Sequence, residues 1–66
     1  MLRDLYLHSP SGEVTLVEIF EEGGKVTIII GNSVRLDLER NSAYDLADAL
    51  LMIANEADFN EKVEFL

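Results

Sequence analysis

The 66-residue chain has no cysteine, no tryptophan, one proline and one histidine, and its five basic residues face 13 acidic ones. The missing cysteines exclude disulfides and thiolate metal sites, and the lone His8 excludes an all-histidine zinc site within one chain. A net charge of −8 repels phosphate backbones and anionic headgroups, which argues against direct binding of nucleic acid or a membrane surface. No apolar run approaches the roughly 18 residues of a membrane span, and no basic, apolar, small-residue leader opens the chain. The expectation is a cytoplasmic protein.

Catalytic groups are equally sparse. His8 borders the turn Ser9-Pro10-Ser11-Gly12 and has no recognisable nucleophile motif around it, while Ser9, Ser11, Ser33 and Ser42 suit turns and a helix cap. Asp37 with Glu39, or Asp45 with Asp48, offers paired carboxylates without calcium-loop spacing. Gly23-Gly24-Lys25 lacks both the spacer of a phosphate loop and the Ser or Thr after its Lys. Neither catalytic residues nor a metal or cofactor are expected, and no stretch carries a motif specific to one family.

What is present is apolar mass. Hydrophobic residues make up 48% of the chain beside 27% charged. A single domain spanning residues 1–66 hides only about 60% of the surface its unfolded chain exposes. Such a core seldom yields more than about 3–5 kcal/mol without a disulfide, a metal or a partner subunit. With the first two removed, association is the supplement left.

The residue pattern predicts an α+β domain, a ββββα antiparallel meander of three to four strands with one helix packed on one face. Leu2 to His8 alternates loosely and reads as a first strand, followed by the Pro-Ser-Gly turn. Glu13 to Phe20 is rich in β-branched and aromatic residues, and Glu21-Glu22-Gly23-Gly24-Lys25 is the strongest hairpin signal. Val26 to Ile30 and the cleanly alternating Val34 to Glu39 follow, separated by Gly31-Asn32-Ser33.

From Asn41 to Ala57 the period becomes helical. Ala43, Leu46, Ala47, Leu50, Ile53, Ala54 and Ala57 fall within an arc of about 120°. Full burial of Leu46, Leu50 and Ile53 is therefore expected. Ser42 with Asp45 fits a capping signature, with a start at Glu39 as the alternative, and Asn55, Asp58 and Asn60 supply a stop. The remainder, Phe59 to Leu66, reads as a short C-terminal edge strand or a segment lent to a neighbouring subunit.

One helix cannot cover both faces of a sheet. If Val34, Leu36 and Leu38 face it, Val17, Ile19 and Ile29 are expected on the opposite side. Together with Leu51, Met52, Phe65 and Leu66 they form the candidate interface of a homo-oligomer, with a dimer as the first expectation.

These features predict a non-catalytic, acidic interaction protein that regulates or inhibits a protein partner. Asp45, Asp48, Glu56, Asp58, Glu61 and Glu64 are its candidate partner-binding face, in one version as a mimic of nucleic-acid phosphates. The alternative is a binder of small, nucleotide-like anions in an inter-subunit pocket, with Arg40, Asn41, Ser42 and Tyr44 at the helix start as the candidate anion site.

Overall fold

A computed structural model describes residues 2–64. Its elements are β1 (Leu2–His8), β2 (Val14–Glu22), β3 (Lys25–Ile30), β4 (Val34–Leu38) and α1 (Arg40–Glu64). The strands form one antiparallel sheet in the order β1-β2-β3-β4, so every connection is a hairpin and the architecture is the expected ββββα.

Turn chemistry fixes these connections. Gly23 and Gly24 have φ of +61° and +82°, the pair of positive torsions that a two-residue turn between right-twisted strands requires. Glu22 accordingly sits opposite Lys25. Glu21 closes the turn by accepting a hydrogen bond from the Gly24 N–H at 2.7 Å. In the first connection the Ser9 hydroxyl accepts from the Glu13 N–H at 3.1 Å, a local side-chain bond typical of short polar turns.

Strand alternation and register then sort the side chains onto two faces. Leu5 pairs with Val17, Val17 with Ile30 and Ile30 with Val34, and the next row runs Arg3, Ile19, Ile28, Leu36. With Leu7, Val26 and Leu38, these residues make the inner face, which α1 overlies. The outer face carries Asp4, Glu18, Ile29 and Arg35 in one row and Leu2, Phe20, Thr27 and Asp37 in the next. Of the three sheet residues expected opposite the helix, only Ile29 lies there. Val17 and Ile19 lie beneath it, because β2 and β3 are joined by two residues and this register places Val17 and Ile19 on the same side as Val34 and Leu36.

The helix starts at the earlier of the two expected places and runs past the expected stop. It begins at Arg40, with Glu39 alone between it and β4, and its first turn is closed by the Ala43 N–H donating to the Glu39 carbonyl at 3.1 Å. Ser42 therefore lies inside the first turn, which contains no acidic residue, and the Ser42–Asp45 cap does not form. At the other end α1 passes through Asn55, Asp58 and Asn60 and runs to Glu64, so the expected edge strand over that segment is helix instead. Asn and Asp cost only about 0.7 kcal/mol each in a helix, and residues 40–64 hold no Gly or Pro to stop propagation. Phe65 and Leu66 lie outside the described residues.

Burial is thin. Among the described residues only Val17, at 5% exposure, and Thr27, at 2%, are buried. The expected burial of Leu46, Leu50 and Ile53 is not found: they are 40%, 63% and 64% exposed. The helix meets the sheet chiefly along β3 and leaves the rest of the inner face open. The radius of gyration is 14.6 Å, against about 11 Å for a compact chain of this length. The surface of 5815 Å² exceeds by about 1,600 Å² what a compact monomer of 7.4 kDa presents.

Candidate functional site

The open inner face and the near side of α1 bound one continuous groove. Close under the helix is a cavity of about 250 Å³ between Ala43, Leu46, Ala47 and Leu50 above and Ile19, Val26 and Ile28 below. Beside it a wider space of about 460 Å³ is floored by Leu5 and Leu7 of β1, Val17 and Ile19 of β2, Ile28 and Ile30 of β3 and Leu36 of β4, with Leu46 and Leu50 as its wall. Every one of these side chains is aliphatic. A groove with no polar group to orient a ligand suits apolar side chains rather than a small polar molecule.

The outer sheet face has a different character. The Thr27 hydroxyl donates to Asp37 Oδ1 at 2.9 Å, which satisfies the one polar side chain buried among the described residues. Arg35 Nε approaches the same carboxylate at 3.3 Å. The Thr27 hydrogen bond, and after it the Arg35 guanidinium, hold the Asp37 carboxyl below its ordinary value of 3.8. Both partners of the ion pair are more than half exposed, so solvent screens the pair and it adds little to stability.

Comparison with protein-family models, curated proteins and solved structures finds no match to this chain.

The candidate interface residues do not form one patch. Val17 is buried in the chain's own sheet and Ile19 lines the groove, while Ile29 is half-buried on the outer face. Leu51 and Met52 are exposed on the helix, Met52 at 70%. The sequence reading missed the groove floor of Leu5, Leu7, Ile28 and Ile30. The signal that could have found it is the i, i+2 spacing of Leu5 and Leu7 in β1, which aligns with Val17 only once the hairpin register is known.

Of the candidate acidic residues, Asp45, Asp48 and Glu56 project within about 80° of one another on the side of α1 turned away from the stripe of Leu46 and Leu50. At 1.5 Å per residue they span about 16 Å along the axis. Asp58 and Glu61 turn back toward the stripe side beyond Ala57, and Glu64 is the last helical residue. Arg40, Asn41, Ser42 and Tyr44 are exposed and fan over about 200° of the helix circumference rather than converging on one point. Among the described residues no group of three or more His, Cys, Asp or Glu side chains is arranged to hold a metal ion, and no helix is long and apolar enough to cross a membrane.

Proposed function

We propose that the chain is a non-catalytic, homo-oligomeric interaction protein that regulates or inhibits a protein partner, binding itself through its apolar side and the partner through its acidic side. The observation that carries this reading is the division of the helix: Leu46 and Leu50 stand over an aliphatic groove with Ile53 exposed one turn further on, while Asp45, Asp48 and Glu56 point the other way. Large aliphatic groups left in water each forgo about 1.5–3 kcal/mol relative to burial, which a domain of this size supports poorly. Self-association offsets that loss and leaves the carboxylates outermost. Spaced carboxylates on a rigid helix attract a basic protein surface, such as one shaped for a nucleic-acid backbone.

Light scattering coupled to size exclusion tests the first half; a persistent 7.4 kDa species at high micromolar concentration is the outcome that removes it. For the second half, the immobilised protein is used to capture a partner from cell extract at low salt, and affinity is measured between about 0.05 and about 0.5 M salt. Steep weakening with salt, and loss of binding in the Asp45→Asn, Asp48→Asn, Glu56→Gln variant with its oligomer intact, is expected. Equal binding by the neutralised variant discards the acidic face as the partner site.

A further inference from the structure

The uncovered part of the inner sheet face has the width of one more helix. Four strands about 4.8 Å apart occupy about 19 Å, and a helix about 10 Å across covers half of that. α1 takes the β3 side, leaving Leu5 and Leu7, 36% and 51% exposed, as an open floor beside its own Leu46 and Leu50, with the buried Val17 beneath them. We propose that this space is filled by α1 of a second copy, so that two chains lay their helices reciprocally on each other's sheets about a two-fold axis. The inference rests on the homo-oligomeric part of the reading above and names its geometry.

Three observations favour this occupant. The first is area: hiding the surplus of about 1,600 Å² on each copy gives about 3,200 Å² in total, inside the 2,000–5,000 Å² range of obligate homodimers. The second is self-complementarity. A two-fold interface needs each patch to meet the other on both copies, and each chain offers both an aliphatic floor at β1–β2 and an uncovered aliphatic stripe at Leu50 and Ile53. The third is charge. Each chain carries −8, yet the groove lining is wholly aliphatic and the charged residue that β1 adds to the inner face is the basic Arg3, so the copies can meet there with Asp45 and Asp48 turned outward. Flat stacking of two inner sheet faces is blocked, because α1 already stands on each of them.

The absence of natural cysteine makes the contact directly testable. Chains carrying Leu5→Cys or Leu7→Cys are mixed through an unfolding and refolding cycle with differently tagged chains carrying Leu50→Cys, Ile53→Cys or Ala57→Cys, then oxidised gently. Circular dichroism and light scattering first confirm that each variant keeps the parent's helix content and mass. The expected result is a disulfide-linked mixed pair, at twice the 7.4 kDa chain mass, as the main product of at least one floor–helix combination. An oligomer in which every such combination fails, while Met52→Cys links to itself, overturns the reciprocal arrangement and leaves the homo-oligomeric reading standing. A parent chain that is monomeric throughout overturns both, and a monomer that carries an apolar small molecule in native mass spectrometry assigns the groove to that molecule instead.

Discussion

Thr27 is the least exposed residue in the described chain and its only buried polar one, and its hydroxyl makes Asp37 pH-sensitive. Because that bond and Arg35 favour the ionised carboxylate, the folded chain binds the Asp37 proton less readily than the unfolded chain does. The stabilisation is fully present above 3.8 and is lost as pH falls through the lower folded value. Thr27→Val removes the donor while keeping the β-branched shape, so the Asp37 carboxyl, followed by carbon-detected titration, is expected to move up toward 3.8. Urea midpoints of this variant should change less between about pH 6 and about pH 3 than those of the parent. Two hydrophobic truncations separate what one chain holds from what association adds. Val17→Ala empties part of the buried core and is expected to cost about 1.5–3 kcal/mol by chemical denaturation. Leu50→Ala, at 63% exposure, should cost the single chain well under that, measured in dilute solution where copies are apart. In concentrated solution its cost should rise toward the value typical of a core leucine.

At the scale of elements, the strands and their hairpins were legible in the sequence and the helix only in part. Gly23-Gly24 encodes its own turn, and both φ values fall where that pair predicts. Gly24→Ala, forced to φ +82° with a side chain, is expected to lose about 1 kcal/mol or more, read as a lowered urea midpoint. Alternation placed Leu36 and Leu38 on the helix side and Leu5 and Leu7 on one side of β1, because a two-residue period leaves no freedom within a strand. What alternation cannot give is the phase between strands. Val17 and Ile19 were misplaced for that reason, since their face depends on the pairing with Ile30 and Ile28 rather than on anything within β2. The helix end failed for a different cause: Asn55, Asp58 and Asn60 resemble a stop, but without Gly or Pro the loss per residue is too small to end a propagating helix. The stripe from Leu46 to Ile53 was read correctly as apolar and incorrectly as buried. Periodicity reports what a side chain seeks, not whether its own chain can supply it.

For the whole molecule, the sequential order β1-β2-β3-β4 governs how quickly the fold is reached. Each strand joins its neighbour in sequence, and α1 begins one residue after the last strand, so few contacts require a long loop to close. Chains dominated by such local contacts fold in the microsecond-to-millisecond range. Nothing in that first collapse conceals the groove, so under the proposed pairing the freshly folded chain finds its counterpart by diffusion. Stopped-flow refolding is expected to show a rapid phase, in helix signal, that is indifferent to protein concentration, followed by a second-order phase whose rate rises in proportion to it. Leu7→Asp should leave the first phase nearly unchanged and abolish the second. During the interval between the two phases, a rim of unpaired β1 backbone and the bare leucines Leu5 and Leu7 stand in water together. Recovery of soluble protein from concentrated refolding mixtures should accordingly depend on whether the proposed pairing outruns edge-to-edge aggregation.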